Sequence, residues 1–435
     1  MRRVAFLSYY FPPIGGAGAQ RPARFVRYLR DAGWDPVVVT GPGPATDRWT
    51  PRDDALEADV PAEVEVHRVA GPEPPQSTGW AVRGERLLGR TSPWTRWWRT
   101  GVVAAGEALR DVDLVYAWMS PFESAQPAAE LARRFDVPWV ADLGDPWALD
   151  EMMVYPTRWH RAAELRKMRR DLSSAAAVVM STPEAVQRLR ASIPELSATE
   201  VIAIPNGYDA ADFEPSTTPP VDETFRIVHT GYLHTELGLQ QRRRARLRRL
   251  LGGTAPGVDF LTRSHVYLLR AVQKVLDEDP SAQGALEVCL AGVLTEADRR
   301  EAEPYAFVRL PGYVPHDRTL ELLRSADLLF LPMHELPPGT RAGIVPGKTY
   351  EYLGSGRPIL AAVPEGDARE LLAEAGGAIL CPPAGVDCMA RAIKDHLALR
   401  RSGAGVPRPR EEVVARYEYR ALARRLGEVF DRVAG

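Results

Sequence analysis

The segment PPGTRAGIVPGKTYEYLGSGRP, residues 337–358, gathers residue types that handle anions. Gly339, Gly343 and Gly347 make it pliable, and Lys348 opens a predicted helix. Glu351 follows three residues later, so it shares a helix face with Lys348. A cation beside helix N–H groups suits a diphosphate, and a carboxylate one turn on can accept from paired ribose hydroxyls. The same spacing also serves a plain surface ion pair. A second glycine-rich stretch runs from Ser8 to Gln20, with Gly15, Gly16 and Gly18 ahead of a predicted helix. Its backbone N–H groups can approach an anion or a sugar closely.

Other chemistries fit less well. Gly16-Ala-Gly18-Ala-Gln-Arg21 lacks the third glycine of a dinucleotide fingerprint, and the next strand ends at Thr40 rather than at an acidic residue. Gly343 lies one residue too close to Gly347-Lys348-Thr349 for a Walker loop. His229, His234, His265, His316 and His334 do not adopt zinc-site spacing, so no metal is expected. Ser8, Ser120 and Ser181 lack a hydrolase elbow.

These loops need a frame to position them. The chain has 435 residues, 45% of them hydrophobic and 26% charged, an ordinary globular balance for two or three domains. With 55 basic and 57 acidic side chains the net charge is −2, which argues against a bulk-electrostatic nucleic-acid binder. Three cysteines cannot form a disulfide framework, which points to a reducing, cytoplasmic setting. No apolar run approaches the ~20 residues that span a bilayer, and no signal peptide is read at the start.

Short apolar runs at Val4–Leu7, Val37–Thr40, Asp113–Trp118, Trp139–Asp142, Ala175–Met180 and Val201–Pro205 read as strands, with helical patterns at Gln20–Ala32 and Glu123–Phe135. After a Pro-rich stretch the alternation restarts. Strands are expected at Arg226–Thr230, Leu286–Ala291, Val308–Val314, Asp327–Met333 and Pro358–Val363, and a helix at His265–Asp277. Strands separated by helices imply parallel βαβ units. The expected organisation is an N-terminal Rossmann-like domain over 1–208, a linker over 209–224, a C-terminal Rossmann-like domain over 225–410 and a terminal amphipathic helix over 411–435. Residues 240–250 hold six arginines, read as a solvated helix face or loop, or as a contact for an acidic surface. Trp94, Trp97 and Trp98 read as core packing first and as an interfacial patch second.

The motifs together resemble a retaining glycosyltransferase of the family 4-like, group 1 type with the GT-B fold. They are SYYFPPIGGAGAQRPARFVRYLRDAGWDPVVVT (8–40), VPWVADLGDPW (137–147), IPNGYDAADF (204–213), VHTGYL (228–233), LPGYVPHD (310–317), ADLLFLP (326–332) and PGKTYEYLGSGRPIL (346–360), in the family's order. The resemblance implies two Rossmann-like domains with an interdomain cleft and a terminal helix that crosses back to the first. It implies a nucleotide-sugar donor, no metal or other cofactor, and a small-molecule, glycan or lipid-linked acceptor, with peripheral membrane contact as a further partner.

By the same resemblance Glu351 is the second glutamate of the E-x7-E motif and holds the donor ribose. Lys348 and Arg263 face the diphosphate, beside Gly231 and Gly347. The backbone at Tyr313 and Val314 meets the base. Gly15, Gly16 and Gly18 border the sugar and acceptor, and Asp142 and Asp145 line the cleft, with Asp145 grouped among the catalytic residues. The sequence departs from the pattern at Gly343, where the first glutamate would touch the donor sugar, and at Leu143-Gly144, where relatives often carry Arg or His. The expected function is sugar transfer with retention in polysaccharide, glycolipid or natural-product synthesis. Gly343 keeps open a nucleotide-sugar epimerase or a non-glycosidic coupling enzyme, and a non-catalytic binding protein on the same fold is the third reading.

Overall fold

The computed structural model describes residues 1–43, 52–75, 91–109, 111–153, 155–214, 224–250 and 257–435. The chain divides into two compact units, Met1–Gly207 with Glu418–Gly435, and Tyr208–Leu251 with Ala255–Tyr417. The second therefore begins at Tyr208, one residue inside the span assigned to the first domain, and residues 215–223 of the linker span lie outside the described residues.

In the first unit seven strands form one parallel sheet in the order β3-β2-β1-β4-β5-β6-β7. They are β1 (Arg2–Ser8), β2 (Trp34–Thr40), β3 (Glu65–Arg68), β4 (Leu114–Trp118), β5 (Trp139–Leu143), β6 (Ala177–Met180) and β7 (Glu200–Ala203). The inner strands are buried on both faces, which is why they read as continuous apolar runs. One face is covered by the helices Pro93–Gly106 and Ala125–Phe135. Trp94 and Trp98 belong to that core (4% and 0% exposed), so the tryptophan cluster packs inward. The other face is covered by the helix Ala17–Tyr28 and by the last helix, Tyr419–Ala434. The terminal segment is not one helix. It breaks at Glu418, whose extended backbone (ψ 133°) starts a new helix that buries Leu422, Leu426 and Phe430 against Phe25, Leu29 and Trp34.

The second unit has six parallel strands in the order β10-β9-β8-β11-β12-β13. They are β8 (Phe225–Thr230), β9 (Leu286–Ala291), β10 (Val308–Gly312), β11 (Leu328–Pro332), β12 (Ile359–Ala362) and β13 (Ala378–Cys381). The helices Val266–Glu278 and Val386–Ser402 bury Leu268, Val272, Met389 and Ile393 on one face of it. The arginine-rich stretch is helical, within Thr235–Leu250, and Arg242 donates to Asp259 and to the Tyr267 hydroxyl. The side chains of Arg246, Arg248 and Arg249 lie outside the described residues.

The cysteine expectation needs correction. Cys381 at the end of β13 is bridged to Cys388 in the first turns of the following helix, while Cys289 is free and buried. A short strand-to-helix connection brings two cysteines seven residues apart into bonding range, and three cysteines suffice for that. Among the described residues no helix is long and apolar enough to cross a membrane.

Candidate functional site

Each sheet reverses its strand order once, between β1 and β4 and between β8 and β11. Open parallel sheets bind ligands outside the carboxyl ends of their strands at such a switch point.

In the second unit Gly231 and Lys348 meet at this place. β8 ends in His229 and Thr230, and Gly231 follows. Gly231 has φ +100°, and a Cβ there would lie 2.9 Å from Lys348 Nζ. Gly292, just beyond β9, has φ +145°, and a Cβ on it would lie 2.4 Å from the Gly231 carbonyl oxygen. Backbone is thus stacked on backbone, and the Lys348 ammonium occupies the space a side chain would take. The Lys348 ammonium stands 3.2 Å from His229 Nε2, and His229 Nδ1 stands 2.9 Å from the Phe330 carbonyl on β11. One turn further along the helix Lys348–Gly354, the buried Tyr352 hydroxyl accepts from the Thr230 N–H at 3.0 Å. The strand end and the helix start are therefore tied at two points.

Electrostatics mark the same spot. Burial, then the Arg263 charge, lowers the Lys348 ammonium to about 7, with Glu351 pulling the other way. Two cations close enough to disfavour each other form a ready anion site. Burial and the Lys348 charge push His229 well below the usual imidazole range. Tyr313 follows β10 with 40% of its surface exposed, and Val314 is half-buried beside it. Gly347 directly precedes the helix. Gly343 is buried next to Ala342, which bridges to Gly366. The segment Tyr208–Phe213 packs in the same unit: a Cβ on Gly354 would lie 2.4 Å from the Tyr208 ring, and His316 stands 3.1 Å from Asp212.

In the first unit the glycine turn follows β1. Gly16 has φ +89°, and Gly18 packs on Tyr10, while its carbonyl accepts from Trp118 Nε1 at 3.0 Å. Asp145 is exposed. Asp142 is not. Its carboxylate is fully buried, 2.9 Å from Arg21 Nη2, and it accepts from the Tyr116 hydroxyl at 2.6 Å. Burial raises this carboxyl, and Arg21 and Tyr116 oppose that rise. The group is committed to the core and does not line an open surface. A Cβ on Gly144 would lie 2.2 Å from the Trp118 ring, so a larger residue has no room here unless Trp118 moves.

Sequence reasoning missed His229, Tyr352 and Arg21. His229 is weighed there only as a zinc ligand, and no local spacing links Tyr352 to Thr230 or Arg21 to Asp142. Among the described residues no group of three or more His, Cys, Asp or Glu is placed to hold a metal.

Residues 15–207 match the family described as Glycosyl transferase 4-like domain, and residues 258–398 match Glycosyl transferases group 1. No curated protein matches the chain. Among solved structures, sucrose-phosphate synthase from Thermosynechococcus elongatus is similar at TM-score 0.62 and 16% identity, covering 99% of both chains. HepE from Anabaena, in complex with UDP and glucose, is similar at 0.61 and 16%, covering 99% of this chain and 100% of that one. A putative UDP-N-acetylglucosamine 2-epimerase from Listeria monocytogenes is similar at 0.54 and 15%, covering 98% and 94%. At these identities the likeness establishes the shared GT-B fold. The two family matches, in order along one chain and each taking in most of one sheet, make this protein a glycosyltransferase of the group 1 type.

Proposed function

We propose that the second unit binds a nucleoside-diphosphate sugar and that the enzyme passes the sugar to an acceptor hydroxyl with retention of configuration. The observation that carries this reading is the Lys348 ammonium packed against Gly231, within electrostatic reach of Arg263 and of Glu351 one turn on. Lys348 and Arg263 take the diphosphate charge, Glu351 the ribose hydroxyls, and the backbone at Tyr313 and Val314 the base, with Gly343 and Gly347 leaving room for the sugar. Gly15, Gly16 and Gly18 offer backbone to the acceptor, and Asp145 stands at the same strand-exit surface. Asp142 supports that surface from below through Arg21.

The acceptor oxygen bonds to the anomeric carbon on the face from which the diphosphate leaves, and its proton passes to the departing phosphate oxygen. The two cations do the work a metal would otherwise do, so the reaction requires no metal or further cofactor. Losing one such contact costs roughly 10²–10³ in rate. The solved HepE structures hold UDP and UDP-glucose, which makes UDP the first nucleotide to test. The acceptor belongs to cell-surface polysaccharide, glycolipid or natural-product synthesis in the cytoplasm, with membrane contact where it is lipid-linked.

The test is calorimetric titration of UDP, GDP and dTDP into wild type and Glu351→Ala. Selective binding that the substitution abolishes is expected, whereas no binding to folded wild type would remove the donor site. Gly343, where a glutamate would touch the donor sugar, favours a second reading as a nucleotide-sugar epimerase. Nucleotide-sugar turnover without any acceptor would select it.

A further inference from the structure

The Lys348 ammonium stands beside an imidazole with a fixed proton. His229 lies on β8 beside β11, fully inside the fold (1% exposed), and its Nδ1 is 2.9 Å from the Phe330 carbonyl. A carbonyl only accepts, so the ring must carry its proton on Nδ1. That leaves the Nε2 lone pair facing Lys348 Nζ at 3.2 Å. An ammonium only donates, so the contact has one polarity. We propose that His229 is the positioning residue for Lys348: its Nε2 lone pair accepts from the ammonium and fixes it over Gly231, where the donor diphosphate arrives.

The inference rests on the donor-site reading for its function, but the contact is testable apart from it. The pair is faced by the Phe330 and Tyr232 carbonyls, by Arg263 and His265 from the segment leading into the helix Val266–Glu278, and by Glu351 from the helix of Lys348 itself. The carbonyls favour a proton on the ring, and burial with Lys348 opposes a second. Burial and Arg263 act against the Lys348 charge and Glu351 supports it; a neutral His229 Nε2 at 3.2 Å adds an acceptor for the ammonium. Histidine suits the position because it reaches the β11 carbonyl with one nitrogen and the lysine with the other. Phenylalanine would fill the space and serve neither.

The test reads Lys348 directly, by competitive acylation against pH with mass spectrometry, and reads the tautomer of His229 by ¹⁵N NMR of the wild-type protein. We expect the Nδ1-protonated tautomer and an acylation midpoint near 7 in wild type. His229→Phe should lower that midpoint by about one pH unit and weaken UDP binding about tenfold, the size of one charge-assisted hydrogen bond. His229→Gln, which restores an acceptor, should recover most of both. An Nε2-protonated ring in wild type would overturn the proposal even if neither variant folds. So would a midpoint that His229→Phe leaves unchanged. If the tautomer and midpoint are as expected but UDP does not bind, the contact stands and the donor reading falls.

Discussion

Arg21 Nη2 lies 2.9 Å from Asp142 Oδ2, with the two side chains 1% and 0% exposed. The same guanidinium donates to the Ile204 and Pro205 carbonyls, at 2.9 and 2.6 Å. One side chain from the helix after the glycine turn therefore ties β5 to the backbone that follows β7. An ion pair out of water is held in place by hydrogen bonds as much as by charge, and the Tyr116 hydroxyl supplies one more.

Breaking this network from one side should be costly. Arg21→Met leaves a buried carboxylate and two carbonyls without their donor, and should cost about 3–5 kcal/mol. Urea unfolding of the variant checks it. A loss below about 1 kcal/mol would mean that water reaches the pair.

Lys348 should leave a signature in the pH dependence of stability. Its ammonium sits near 7 in the folded chain against 10.5 when unperturbed. Between those values the unfolded chain binds more protons, so stability rises with pH across the window. The cost of charging the buried amine is fully present below about 7. Lys348→Met removes the titration, so its stability gain over wild type should be largest at pH 6 and should shrink toward pH 10. A constant gap in urea midpoints would place the ammonium near its ordinary value.

Two glycines with positive φ separate strain from crowding. A Cβ on Gly284 (φ +82°) would have nothing within 4 Å, whereas one on Gly292 (φ +145°) would meet the Gly231 carbonyl at 2.4 Å. Gly284→Ala should cost about 1–2 kcal/mol, the conformational penalty alone. Gly292→Ala should cost more and also weaken UDP binding, because Gly231 and with it Lys348 must shift. Equal melting temperatures for the two variants would count against the stacked backbone.

Tyr352→Phe removes the acceptor of the Thr230 N–H at the end of β8. A buried N–H left alone costs about 1–3 kcal/mol. Amide exchange at Thr230 should speed up in the variant more than at mid-strand positions of β8, and unchanged exchange there would show that the hydroxyl is dispensable.

Much of this architecture was legible because inner strands of parallel sheets are apolar throughout. β1, β4, β5, β9 and β11 announce themselves in that way. β3 does not: Glu65–Arg68 is an edge strand of polar, partly exposed residues, and pattern alone cannot separate it from loop. The terminal helix was legible by its period, but its break at Glu418 was not, since nothing in the local sequence marks a start there. Within the site, Lys348 and Glu351 could be found because spacing on one short helix brings them together. His229 could not, because its partner is 119 residues away and only strand register makes them neighbours. Asp142 shows the opposite error: the family resemblance implies a cleft position, and only the burial of its pair with Arg21 reveals that the carboxylate points inward.

The helix Tyr419–Ala434 closes the first sheet with residues that follow the whole second sheet in the chain. Until they emerge, Phe25, Leu29 and Trp34 have no lid, although their own strands and helix have long been synthesised. The first unit thus stays open while the whole second unit is synthesised, and through that time it carries an apolar surface that invites chaperones or aggregation. A nascent chain stalled before Glu418 should remain protease-sensitive around β2, and supplying residues 418–435 as a separate peptide should protect it.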